Sequence, residues 1–194
     1  MRRWIAVVAA LALSGSMALA QENMLRNGGL EDGVVDPWIS YGQATLSVTS
    51  DNVYEGSFAL QVEVPAAGAN FWDSGVQYQE GVVFEAGTTY TWAFFAKADH
   101  TVNINIKPEL AQDPWTGYGE HQVELTTDWQ EFYATWTPDT LVQPASLTLH
   151  VAFDAATLWI DAARWYVGEY VPYESVTAVD PKGKLATTWA QLKR

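Results

Sequence analysis

The chain has 194 residues, no cysteine, and 23 acidic against 10 basic side chains, for a formal charge of −13. Such a surface repels nucleic acid and anionic lipid, so neither is expected as a partner, and disulfides are excluded as a tie for the termini. Ten Trp, nine Tyr and seven Phe are more rings than a core of this size needs, which leaves some for the surface.

In chain order, residues 1–20 read as an export signal. Arg2 and Arg3 give a positive start, Trp4 to Leu13 is apolar, and the segment closes on Ala18-Leu19-Ala20 before Gln21. The apolar run is too short to span a bilayer, which takes about twenty residues. The arginine pair lacks a twin-arginine context. Sec export with cleavage after Ala20 is therefore expected, giving a secreted product, extracellular or periplasmic, without membrane insertion.

Short β-type runs follow with no helical periodicity between Asn23 and Val167. Strands are expected at Ala44–Thr49, Ala59–Val64, Gly75–Gln79, Thr89–Ala98, Val102–Pro108, His121–Leu125, Gln130–Thr137, Ser146–Phe153 and Thr157–Val167. Turn formers such as Asp99-His100, Thr127-Asp128 and Pro138-Asp139 separate them. An antiparallel sandwich of the all-β class is the architecture this spacing predicts. In the long run Thr89–Ala98, Tyr90, Trp92, Phe94 and Ala96 share a core face. Thr91, Ala93, Phe95 and Lys97 share the other, which reads as partly wet. Leu147, Leu149, Val151 and Phe153 likewise point inward, with Thr148, His150 and Ala152 opposite. Trp92, Trp129, Trp136, Trp159 and Trp165, in strands or at their edges, are expected in the core. The domain is expected over 21–168, and 169–194 reads as a short irregular or helical C-terminal tail. That tail ends in a basic stretch, Lys182, Lys184, Lys193 and Arg194, which either hangs loosely or docks on this molecule or a protein partner.

Four segments carry a resemblance. They are Asn27-Gly28-Gly29-Leu30-Glu31-Asp32-Gly33 with Pro37-Trp38, Val53-Tyr54-Glu55-Gly56-Ser57-Phe58-Ala59-Leu60, Ala86-Gly87-Thr88-Thr89-Tyr90 through Phe95-Ala96-Lys97-Ala98, and Trp159-Ile160-Asp161. In this order the chain resembles the carbohydrate-binding modules of the family 4/9 type, relatives of families 16 and 22. The resemblance implies a galactose-binding-like β-jelly-roll of two sheets with a concave face. It departs in one place, where Ala162 stands for the second acid of the closing strand.

The same resemblance implies a structural calcium ion held by the Gly29 and Phe58 carbonyls with Glu31, Glu55 and Asp161. Mixed carboxylate and carbonyl oxygens suit that ion, which would clip both ends of the domain together. The alternative is that these acids cap turns. For the binding face, similar modules place a Trp and a Gln where this chain has Trp72 and Gln77. Phe95 and Lys97 are expected on the open face with Asn105 and Lys107, and His150 with them. Trp115 and Tyr118 fall in the loop Asp113–Gly119, where large rings suit stacking on a sugar. Local packing is the competing explanation for each.

Catalysis is not expected. The "RxELR" and "QIH" strands of jelly-roll polysaccharide lyases are absent, no Gly-x-Ser-x-Gly elbow occurs, and His100, His121 and His150 lack zinc spacing. The reading is a non-catalytic binder of a neutral poly- or oligosaccharide; the alternative is a cell-surface or assembly sandwich that makes protein contacts.

Overall fold

The computed structural model describes residues 21–173. Residues 1–20, expected to be an export signal, and the tail beyond Tyr173, with its expected partner surface, lie outside the described residues. Ten strands are formed: β1 (Ile39–Tyr41), β2 (Thr45–Thr49), β3 (Ala59–Val64), β4 (Gly75–Tyr78), β5 (Tyr90–Ala98), β6 (Val102–Leu110), β7 (His121–Leu125), β8 (Gln130–Trp136), β9 (Ala145–His150) and β10 (Ala156–Val167). They build two five-stranded sheets, β1-β4-β9-β6-β7 and β2-β3-β10-β5-β8. Every pairing is antiparallel. The antiparallel sandwich expected from the sequence is the observed fold, and β1 is the one strand that the sequence pattern missed.

Alternation explains the core. Tyr90, Trp92, Phe94 and Ala96 of β5 face Leu147 and Leu149 of β9 and Ile104 and Ile106 of β6 within one buried cluster. Full burial of a large apolar side chain stabilises by roughly 1.5–3 kcal/mol, so this layer dominates the fold's energetics. Trp92, Trp136 and Trp165 belong to it, as expected. Trp129 and Trp159 do not: both are half-buried on the outer surface.

The opposite face of β5 is drier than its polar residues suggest. Thr91 and Ala93 are fully buried and Phe95 nearly so. The chain itself covers them. Thr91 donates its hydroxyl to the Gly168 carbonyl at 2.7 Å. Tyr54 stacks on Phe95 with ring centroids 3.6 Å apart, Tyr173 meets Phe95 edge-on, and Tyr170 stacks on Tyr133 at 3.7 Å. Beneath this strap Arg164 pairs with Glu131 and also donates to the Val171 carbonyl at 2.6 Å.

The two ends of the domain are joined without a disulfide. Met24 N–H donates to the Trp165 carbonyl at 2.7 Å, and Ala163 N–H to the Gly28 carbonyl at 3.0 Å. Between Asp161 and Arg164 the β10–β5 register shifts, and Ala162 takes a left-handed conformation with φ of 48°. Just before this bulge Asp161, the register partner of Phe95, lies on the outer face and is fully buried under the loop at Tyr54 and Glu55.

Candidate functional site

The outer face of the first sheet is the floor of a cavity of about 610 Å³. Register places the floor residues in rows: Gln77 of β4, Thr148 of β9 and Lys107 of β6 lie side by side, as do Gly75, His150 and Asn105. With period two, Glu109 follows Lys107 on the same face. The rows are linked by hydrogen bonds. Gln79 Nε2 donates to Gln77 Oε1 at 3.1 Å, Gln77 Nε2 to Thr148 Oγ1 at 3.3 Å, and Thr148 Oγ1 to Glu109 Oε1 at 2.6 Å. Lys107 Nζ lies 3.2 Å from Glu109 Oε2. Asn105 Nδ2 is 2.8 Å from Glu120 Oε1 and 3.1 Å from His150 Nδ1. As the amide is the donor, His150 Nδ1 accepts, which assigns the ring proton to Nε2.

Burial sets the charges here. It pushes Glu109 above the usual carboxylate range, against the opposing hydrogen bond from Thr148 and the nearby Lys107. It pushes His150 down to about 4, helped by the Lys107 ammonium and opposed by Glu120. His150 is therefore neutral at pH 7. Burial also raises the Tyr41 phenol, with Glu109 and Asp73 adding to the effect.

Aromatic walls rise on either side. Trp72 and Trp115 both line the cavity and are 50% and 48% exposed, unusual for the largest apolar side chain. Trp72 is held edge-on against Phe71 at 4.7 Å, and Phe71 stacks on Phe153 at 5.0 Å. Backbone bonds pin that loop to the end of β9: Ala152 N–H to the Phe71 carbonyl, Gly68 N–H to Ala152, and Val151 N–H to Ser74. The second wall is the loop after β6, closed by Leu110 N–H to the Thr116 carbonyl at 2.9 Å and Tyr118 N–H to Pro108 at 2.7 Å. Trp115 sits there at a φ of 57°, a conformation that bulky residues rarely adopt.

Of the residues singled out in the sequence, Trp72, Gln77, Lys107, Trp115 and His150 line this cavity, and Asn105 supports its floor through His150 and Glu120. Three are placed elsewhere. Phe95 and Lys97 belong to β5 and so to the other sheet: Phe95 is covered by Tyr54, and Lys97 Nζ bonds Asn52 Oδ1 at 3.2 Å. Alternation separates two faces of a strand but cannot say which sheet the strand joins. Tyr118 turns away from the lining to pack edge-on against Phe84 of the core. Tyr41, Phe71, Gln79, Glu109, Ala111 and Glu120 complete the lining. Glu109 was within reach of the alternation Asn105, Lys107, Glu109; Tyr41, on a three-residue strand, carried no periodic signal.

The residues expected around calcium gather at the other end of the domain. Asp161 Oδ2 accepts from the amides of Tyr54 at 2.8 Å and Glu55 at 3.1 Å, and Oδ1 from Ala162 at 2.6 Å. Glu31 accepts from the amides of Ser57 and Phe58, and Gly56 lets its loop approach that carboxylate where any Cβ would collide. Glu55 accepts from the Tyr173 hydroxyl. Among the described residues no three Asp, Glu, His or Cys side chains are grouped to hold an ion. Carbonyl donors would therefore have to complete any site. The donor type does fit a hard cation: the set is all oxygen, and both carboxylates keep lone pairs beyond their amide partners.

Comparison with known proteins gives a consistent result. A family model described as a carbohydrate binding domain (CBM_4_9) matches residues 22–157. A structure described under CBM4 structure and function is 25% identical, with a TM-score of 0.60 over 74% of this chain and 99% of that one. The CBM22-1 xylan-binding domain from Paenibacillus barcinonensis Xyn10C is similar in fold, at 14% identity and a TM-score of 0.64, over 79% of this chain and 99% of that one. The C-terminal family 22 carbohydrate binding module of Clostridium thermocellum Xyn10B is another, at 20% identity and a TM-score of 0.55, covering 73% and 91% of the two chains. No curated protein sequence matches the chain.

Proposed function

This chain belongs to the CBM_4_9 family of carbohydrate binding domains, and from that premise we propose that it is a secreted, non-catalytic module that holds a neutral poly- or oligosaccharide in the cavity between Trp72 and Trp115. The observation that carries the reading is the pairing of two half-exposed indoles with a hydrogen-bonded polar floor. Sugar rings present apolar C–H faces and a rim of hydroxyls. Indoles suit the faces, and stacking on them is worth on the order of 1–3 kcal/mol or less per ring. Gln77, Gln79, Lys107 and the Nε2–H of His150 can donate to hydroxyls; Glu109 and Glu120 can accept. The floor's ammonium and nearest carboxylate are already paired and His150 is neutral, which favours an uncharged ligand. The loops are pinned by backbone bonds before ligand arrives, so little ordering cost opposes binding.

A binding role is supported by how the acids are held: Glu109 by Thr148 and Lys107, and Glu120 by Asn105, which fixes both as acceptors facing the cavity. Xylan is the ligand named for the Paenibacillus domain of similar fold, which makes soluble xylan the first glycan to test. Calcium at the Glu31, Glu55 and Asp161 end, with the Gly29 and Phe58 carbonyls, would tie the ends of the domain together and lies apart from the cavity. Calorimetric titration of the chain with xylo- and β-gluco-oligosaccharides tests the main reading. Saturable binding that weakens at least tenfold in Trp72→Ala is expected; no heat from any neutral glycan overturns it.

A further inference from the structure

The outer face of the second sheet carries an arrangement that the cavity does not use. Register aligns Gln61 of β3, Trp159 of β10 and Lys97 of β5 in one row, with Trp129 at the head of β8 beyond them. Lys97 Nζ lies 5.3 Å from the Trp159 ring centroid and 5.9 Å from that of Trp129. Among the described residues its hydrogen bond is to Asn52 Oδ1, while the Trp159 indole N–H is anchored on Gln61 Oε1 at 3.2 Å. Both indoles are half-buried and stand outside the core.

Lys97 is singular in its pairing. Four Lys and Arg side chains occur among the described residues. Arg26 is paired with Asp36 and Glu80, Lys107 with Glu109 and Arg164 with Glu131; Lys97 alone has no carboxylate partner. Among the described residues no carboxylate pairs with this ammonium, although the chain is strongly acidic. Glu63, in the Thr157 row, accepts from Gln61 and Thr157. The two rings beside the ammonium offer stacking surface, and Asn52 and Gln61 offer polar atoms at the rim.

We propose that Trp129, Lys97 and Trp159 form a second, flat glycan site that takes a carboxylate-bearing sugar, a uronic acid residue of an acidic polysaccharide. The ring would lie on an indole and the carboxylate would meet the ammonium, a charge-assisted contact that neutral sugars cannot make. This face is opposite the cavity, so the two sites do not compete.

Tetragalacturonate and its methyl ester, which keeps the rings and removes the charge, separate the possibilities in a calorimetric titration of the full chain. Binding of the acid, at least tenfold weaker for the ester, is expected. Lys97→Gln should weaken tetragalacturonate binding at least tenfold, and Trp129→Ala, at the sheet edge where folding is least at risk, should do the same. Trp72→Ala should leave it unchanged while weakening neutral-glycan binding at least tenfold. Absence of tetragalacturonate binding, equal binding of the ester, or loss of the acid in Trp72→Ala with retention in Lys97→Gln would each overturn the proposal. Whether the cavity takes neutral sugars is read separately, from the titrations with xylo- and β-gluco-oligosaccharides.

Discussion

The ring of Tyr41 lies over Gly75 so closely that a Cβ there would collide with it. The two are register partners across β1 and β4, and Gly75 is next to His150 on β9. A glycine in mid-sheet lets one aromatic lie flat against the floor instead of standing in the cavity. Gly75→Ala should lift Tyr41 into the space a ligand would use. The expected cost is about 1–3 kcal/mol of stability, typical of overpacking, together with weaker glycan binding. Denaturant melts and calorimetry on the same sample check both parts; unchanged affinity would show that Tyr41 does not border the ligand.

Trp72 and Trp92 should separate binding from stability. Trp72 is 50% exposed at the cavity wall, whereas Trp92 is fully buried between the sheets. Trp72→Ala is expected to weaken glycan binding about tenfold or more, 1.4 kcal/mol per decade, with little change in melting temperature. Trp92→Ala should cost about 3–5 kcal/mol as a large core truncation. A large drop in melting temperature for Trp72→Ala with affinity intact would reverse its assignment.

These contrasts mark what the sequence could reveal. Alternation on β5 and β9 put Trp92, Phe94, Leu147 and Leu149 on core faces, because a two-residue period is a local property. Trp72 and Trp115 stood out because rings in loops have no core face to fill. Which sheet a strand joins is not local: β5 and β6 are consecutive but lie in different sheets, so Lys97 and Asn105 were grouped although they face opposite sides of the molecule. The burial of Phe95 depends on Tyr54, 41 positions upstream, and on Tyr173, far downstream. No strand pattern encodes that cover.

His150 predicts an acid-sensitive fold. Its folded pKa, pushed down to about 4 from an ordinary 6.5, means that the unfolded chain binds the proton more readily. Its contribution is thus complete above pH 6.5 and is lost as pH falls towards 4, amounting to at most about 3 kcal/mol. Glu109, shifted upward, acts with the opposite sign and becomes more favourable to folding on acidification, so the net loss is smaller. His150→Gln should flatten the decline between pH 6.5 and 4 in urea melts. A decline as steep as that of the unsubstituted protein would assign the acid sensitivity elsewhere.

Export predicts a defined N-terminus. Protein recovered from a bacterial envelope or culture medium should begin at Gln21, with or without cyclisation to pyroglutamate. Intact mass measurement checks this directly, and a product that retains Met1–Ala20 would rule out cleavage at that bond.

Calcium should stabilise the end of the domain where Asp161 and Glu31 hold the loop 54–58. Both carboxylates already accept backbone amides, so the loop has a protein scaffold of its own, and the ion would add to it. An ion that binds only the folded chain raises stability with the logarithm of its free concentration over the dissociation constant, about 2.7 kcal/mol at a hundredfold excess. Chelation should therefore lower the melting temperature, and added calcium should restore it. Asp161→Asn keeps one carbonyl acceptor for the loop amides while removing the charge, so this variant should fold yet melt at the same temperature with and without calcium. Magnesium should restore little, because it demands a tighter octahedral shell than mixed carbonyl and carboxylate donors on a loop supply. Superimposable melts of the unsubstituted protein in calcium and in chelator would instead leave Glu31 and Asp161 as caps for the backbone of the loop, the role their amide bonds already perform.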